Sequence, residues 1–315
     1  MVTAGYQGSH GAHLSNLVDA NTAVPQKVNG RLFFPADSRR RNGSFSQMRA
    51  FLWDANSFYN AFKLGLQRRF SDGLQLQSAY TYGRSVDDAS NAGTIDQIGT
   101  SPNGISNTPD DHRFNRGLST FDVRHVWSAN GTYELPFGPG KPLGKDLTGF
   151  AGKLTGGWQF SGIVALATGP PVNLLLSFEN SRSRAGVDLS ERPDLKPGAN
   201  SNPVLADGRD PTRYYDPNAF AIPPAGFFGN LGRGTVIGPG VATVDLSLVK
   251  STSVGERTTI QFRAEAFNVL NRANFALPDA TVFRSGGGDP SATAGRLLAT
   301  TTTSRQIQFA LKILF

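Results

Sequence analysis

The chain has 315 residues, of which 38% are hydrophobic, with 36 Gly, 19 Pro and a mean hydropathy of -0.27. Its most apolar stretch, "GIVALATGPPVNLLL", is broken by Gly169, Pro170 and Pro171, and nothing approaches the roughly 18 to 20 apolar residues of a membrane helix, so a helical membrane protein is excluded. The net charge of +7 comes from 31 scattered Lys and Arg whose one dense run, Arg39 to Arg41, reads as a solvated loop, and the absence of Cys removes disulfides and thiolate metal sites. No nucleic-acid partner is expected.

The opening "MVTAGYQGSHGAHL" has no basic segment, apolar core or small-residue cleavage site, so it is not read as a signal peptide. Val2 to Ser9 instead reads as the end of a strand, and an exported protein is expected to carry further sequence ahead of it. Residues 57 to 83 form the clearest hairpin. Phe58, Phe62, Leu64, Leu66 and Phe70 share one parity, as do Leu74, Leu76, Tyr80 and Tyr82, and Ser71-Asp72-Gly73 between them is a strong turn signal. These strands exceed the usual five or six residues of globular sheets.

In "FDVRHVWSANGTYELPF", Trp127, Ala129, Gly131, Tyr133 and Leu135 fall on one face, while Arg124, Ser128, Asn130, Thr132 and Glu134 fall on the other. "GWQFSGIVALAT" aligns Trp158, Phe160, Gly162, Val164 and Leu166. "VATVDLSLVK" sets Val244, Leu246 and Leu248 against Asp245 and Ser247. "RTTIQFRAEAF" sets Ile260, Phe262, Ala264 and Ala266 against Gln261, Arg263 and Glu265. The closing "RQIQFALKILF" sets Ile307, Phe309, Leu311, Ile313 and Phe315 against Gln306, Gln308, Ala310 and Lys312.

This makes eight alternating strands, with short links at 71 to 73 and 251 to 256, a middling one at 136 to 156, and long ones near 9 to 56, 84 to 120, 169 to 240 and 268 to 302. A compact soluble domain rarely holds four structureless loops of such length, whereas transmembrane β-barrels pair short periplasmic turns with long extracellular loops. Placing Phe315 at the periplasmic side sends every short link to the periplasm and every long one outside. Trp158, Tyr133 and Phe137 then lie near one rim, and Tyr82 and Phe58 near the other, as interface girdles do. The expected fold is all-β: an antiparallel transmembrane β-barrel segment of about eight long strands in the outer membrane, with outer-membrane lipid as a partner.

The stretches "YQGSHGAHL", "NSFYNAFKLGLQRRFSDGLQLQSAYTYGRSVDD", "FDVRHVWSANGTYELPFG", "GWQFSGIVALATGPP", "FFGNLGRGTVIGPG", "DLSLVKSTSVGERTTIQFRAEAFNVLNRANFALP" and "RQIQFALKILF" span nearly the whole chain in order. Together they resemble the TonB-dependent outer-membrane receptors of the Oar-like type. That resemblance implies a barrel of about 22 strands around an N-terminal plug. Residues 1 to 315 are expected to be the C-terminal portion of such a barrel, without plug or signal peptide, an open sheet with two unpaired edges. The implied function is uptake of an extracellular ligand, carbohydrate being one class, with the TonB system engaged only through N-terminal parts. The resemblance also implies that Phe309, Leu311, Ile313 and Phe315 form the signal read by the barrel assembly machinery. A stand-alone small porin-like barrel and a soluble all-β adhesin or sugar-binding module remain as alternatives.

No hydrolase, zincin, P-loop or EF-hand motif is present, so neither an enzyme nor a cofactor is expected. The glycines of "FGNLGRGTVIGPG" lack the Lys and helix of a phosphate cradle and read as turn chemistry. His10 and His13 would be the ligands of any rim-loop metal site, and Asp87, Asp88, Asp110 and Asp111, together with His112, would bind Ca²⁺ or a sugar through carboxylates; solvated loop positions are the simpler reading of both. Tyr214, Tyr215, Phe220, Phe227 and Phe228 either stack on sugar rings or pack loop against loop. The polar residues expected to face the lumen are Arg124, Ser128, Asn130, Thr132, Glu134, Asp245, Gln261, Arg263, Glu265, Gln306 and Gln308.

Overall fold

The computed structural model describes residues 1–90, 112–185, 191–206 and 210–315. Asp110 and Asp111 lie outside the described residues. Eight long strands form one sheet: β1 (Val2–Asp19), β2 (Arg49–Ser71), β3 (Leu74–Asp87), β4 (His125–Glu134), β5 (Trp158–Ala167), β6 (Val241–Val254), β7 (Thr258–Phe267) and β8 (Gln306–Leu314). Each pairs antiparallel with the next in sequence, and the short strand Gly117–Leu118 adds to β3. The β2–β3 turn is tighter than the sequence suggests, since Asp72 (φ 52) and Gly73 (φ 77) make a two-residue turn of the mirror-image class that matches strand twist. A register shift between Arg68 and Ser71 absorbs the extra residue, a bulge that the even spacing through Phe70 conceals.

β1 and β2 run 18 and 23 residues, well beyond the roughly 9 to 11 that cross a bilayer. The surplus lies at one end, where Leu14–Asp19 pairs with 49–55 past the point at which β3 leaves β2. The expected stub at Val2 to Ser9 is thus a long strand, and the first long connection shrinks to residues 20–48. Among the described residues β1 does not pair with β8, and the two are the edges of the sheet.

The described parts of the long connections are folded, contrary to the structureless loops expected from sequence. Val172, Leu174, Leu176, Tyr214, Tyr215, Phe220, Leu231, Val236, Val282, Phe283 and Leu297 form one buried cluster, and Ala23, Leu32, Phe34 and Phe228 a second. Short pairings run through the first cluster: Leu175–Leu176 parallel to Thr281–Phe283 joins two connections, while Asp194–Leu195 against Phe220–Ala221 and Pro171–Val172 against Val236–Ile237 lie within one. The hydrophobic core therefore sits in a cap made by the loops at one end of the sheet, and both faces of the sheet itself remain largely open.

Glycine permits the close approaches in this cap. A Cβ on Gly169 would lie 1.7 Å from the Gly238 carbonyl oxygen, and one on Gly229 2.0 Å from that of Arg192. The Gly-rich loop is built for backbone packing, with a turn-type positive φ at Gly234 (φ 63).

Candidate functional site

Cross-strand register sorts the side chains, because residues opposite one another in a ladder project to the same side. On one side Tyr6, Phe62 and Tyr82 align across β1 to β3, and Leu246, Ala266 and Ile307 across β6 to β8. Phe262 stacks against Phe309 at 6.1 Å between ring centroids. These large side chains are exposed, with Phe309 69%, Leu311 68% and Ile307 60%. An apolar face left open across so many strands needs an apolar solvent.

The opposite side is polar. Thr132 pairs with Ser161 and Gln75, Asn130 with Gln77, and Ser128 with Ala79 and Ala165. Gln308 donates to Glu265 at 2.6 Å, Gln261 donates to Ser251 at 3.2 Å and Arg263 Nε donates to Gln261 at 2.9 Å. Asp245 Oδ1 accepts the backbone N–H of Asn268 at 2.8 Å at the strand's loop end. Glu134 is held by Lys141 at 2.8 Å at the other end. Gln306 is exposed opposite Phe267. Arg124 precedes β4 and turns to Asp122 at 3.4 Å. The partition has exceptions: Ile163, 55% exposed, sits between Asn130 and Asp245 on the polar side, as do Val249 between Gln159 and Arg263 and Phe267 opposite Gln306, and Lys250 lies opposite Trp158 on the apolar side.

Where the cap meets the strands, a buried polar junction replaces the solvated acids expected from sequence. Arg233 ion-pairs with Asp87 at the end of β3 and donates to Ser90 Oγ at 3.0 Å and to the Gly117 carbonyl at 3.2 Å. Asp87 in turn accepts from Ser90 Oγ at 2.9 Å, and both charged residues are nearly inaccessible. Asp88 accepts the Asn56 backbone N–H at 3.1 Å. Asp122 accepts the Ser85 N–H at 2.5 Å. Arg192 donates to the Leu231 and Phe114 carbonyls and to Asn115, with its guanidinium 4.5 Å over the Phe114 ring; burial first, then the neighbouring Arg233 charge, lowers its pKa to about 10.

Deeper in the cap, Glu191 accepts from the Asn180 N–H, the Ser181 N–H and the Ser181 hydroxyl, the last at 2.5 Å. Burial outweighs these donors and pushes its carboxyl up to about 7. None of these contacts was visible in the sequence: Arg233 meets Asp87 across 146 positions and Arg192 meets Phe114 across 78, and even the pairing of Glu191 with Ser181 across 10 is marked by no local motif.

The other candidates resolve differently. His10 stacks on Phe58 at 4.3 Å, and His13 reaches the Trp53 carbonyl at 3.3 Å. No cluster of three metal-ligating side chains occurs among the described residues. Tyr214, Tyr215, Phe220 and Phe228 are core residues, with Tyr214 and Tyr215 hydroxyls donating to the carbonyls of Ile237 and Asp279 at 2.8 Å, so the packing role holds over sugar stacking. Phe227 is partly exposed, under the Arg31 guanidinium at 5.1 Å.

A long antiparallel meander with one apolar and one polar face, and its loops gathered at one end, defines the class of outer-membrane β-barrel proteins. The chain belongs to the family described as outer membrane beta barrel domain, whose model matches residues 1–308, and its place is the outer membrane. Among solved structures it is similar to the outer membrane transporter YddB from Escherichia coli, at 10% identity and a TM-score of 0.44, over 99% of this chain. The chain spans 30% of the length of that transporter's chain. No curated protein matches it.

Proposed function

We propose that residues 1–315 form part of the wall of a TonB-dependent transporter of the Oar-like type, taking up an extracellular ligand across the outer membrane. The observation that carries this reading is the sheet itself: eight strands in sequence order, two unsatisfied edges, and long loops folded into a cap at one end. In this reading the cap faces outward, the turns at 72–73 and 255–257 face the periplasm, and the sheet is a sector of a wider, plugged barrel. The apolar face meets lipid. Arg124, Ser128, Asn130, Thr132, Glu134, Asp245, Gln261, Arg263, Glu265, Gln306 and Gln308 line the lumen, which needs neither catalysis nor a cofactor. Phe309, Leu311, Ile313 and Phe315 act as the signal for the barrel assembly machinery, and the TonB system acts through parts outside this chain. Carbohydrate is the proposed ligand class.

The test is oxidative cross-linking of Tyr6→Cys against Phe309→Cys, with neighbouring positions of β1 and β8 scanned in turn, after export to the outer membrane. No cross-link is expected at any position within one chain. Efficient intramolecular cross-linking would replace this reading with a small self-closed barrel, and recovery of the exported chain as a soluble periplasmic monomer would remove both.

A further inference from the structure

The connection between β4 and β5, residues 135–157, is far longer than the turns at 72–73 and 255–257 that share its end of the sheet, and it folds into a small lobe. The lobe contains helix α1 (Gly149–Thr155), on which Phe150 and Leu154 stand one turn apart, 82% and 58% exposed. Phe137, Leu143, Leu147, Leu154 and Trp158 line an open groove of about 420 Å³.

Two contacts tie this lobe to the apolar side of the sheet. Trp158, which precedes Phe160 on that face, donates its Nε1–H to the Leu154 carbonyl at 3.0 Å. Lys250, opposite Trp158 on the same face, donates to the Lys153 carbonyl at 2.5 Å and to that of Gly156, closing the carboxyl end of α1. The groove is thus continuous with the exposed apolar face. Charge completes the pattern, for the lobe carries Lys141, Lys145 and Lys153 against Asp146. Lys141 is engaged by Glu134, whereas Lys145 and Lys153 are exposed and have no carboxylate partner among the described residues.

An exposed apolar helix edged by lysines and joined to a lipid-facing sheet has the chemistry of a headgroup layer containing anionic phospholipid. We propose that residues 135–157 are a membrane-interfacial foot. Phe150, Leu154 and the groove lie at the boundary of headgroups and acyl chains in the leaflet at the short-turn end, with Lys145 and Lys153 on lipid phosphates. The proposal rests on the apolar face meeting lipid, as read above.

The chain lacks Cys, so single cysteines introduced as Phe150→Cys or Phe309→Cys can each carry an environment-sensitive fluorophore without background. The labelled proteins are reconstituted in vesicles of phosphatidylethanolamine and phosphatidylglycerol bearing nitroxides at headgroup or mid-chain depth. Position 150 is expected to be quenched at least about twofold more by the headgroup nitroxide, and position 309 by the mid-chain one. Quenching at 309 without quenching at 150 overturns the foot and leaves the barrel reading intact; absence of quenching at both overturns both. Lys145→Glu with Lys153→Glu is expected to halve the quenching at 150, roughly, while sparing 309. An unchanged value at 150 would overturn the role of lipid phosphate.

Discussion

At Glu191 burial and hydrogen bonding pull in opposite directions, and burial prevails. Its carboxyl is raised from 4.5 to about 7, so between those values the folded cap holds a proton that the unfolded chain has released. Stability contributed by this group is therefore greatest below about 4.5 and falls as pH rises through 7, by about 3 kcal/mol in all. We expect the cap to yield more readily to pulse proteolysis at pH 8 than at pH 5.5, and Glu191→Gln to flatten that dependence relative to wild type assayed with the same protease. Equal pH dependence in the two proteins would remove Glu191 as its source. Arg233 makes a different prediction, because its removal strands the buried Asp87 carboxylate with little but Ser90. Arg233→Met should cost the cap about 3 to 5 kcal/mol, and adding Asp87→Leu should recover part of it. Thermal unfolding of the two variants in detergent measures both.

Among the elements, the cap is seated by backbone contacts that only glycine allows. Gly169 follows β5 and packs on Gly238, while Gly117 leaves no room for a Cβ, 2.5 Å from the Arg233 carbonyl oxygen. Gly169→Ala should destabilise the cap by about 1 to 3 kcal/mol or more, whereas Gly286→Ala, with nothing within 4 Å, should stay within about 0.5 kcal/mol. Similar melting shifts for the two would refute the packing argument. The strands were legible in the sequence because their signal is local: period-two alternation, and Asp72-Gly73 between two such runs. The polar face was legible for the same reason, since the observed registers preserve the period across β4 to β8. The cap was not. Leu174, Tyr214 and Val236 lie far apart within the one connection 168–240 and meet Val282 from the connection 268–305, so no strand or helix period links them, and Asp87 meets Arg233 across 146 positions. Bulges near Leu14 and at 68–71 were hidden too, because one extra residue leaves composition unchanged.

For the molecule as a whole, the edges decide what the sheet can be. Every residue of β8 is exposed, as are Val2 to His10 of β1. Along each edge, alternate residues direct backbone N–H and C=O groups away from the single partner strand. In hydrocarbon each such unsatisfied group costs several kcal/mol, so an open sector cannot remain a monomer in a bilayer and must gain strands, close, or join another copy. This gives a measurement that depends on the edges alone. In the detergent-solubilised 315-residue chain at low concentration, amide hydrogen exchange along Gln306–Leu314 should alternate, with residues bonded to β7 protected and their neighbours exchanging at least about tenfold faster. β3, paired on both sides, should be protected without alternation. Raising the protein concentration should protect the fast amides of β8 and β1 together, as edges pair between molecules, whereas uniform protection of β8 at every concentration would mean that the edges close within one chain and that the sector is already complete.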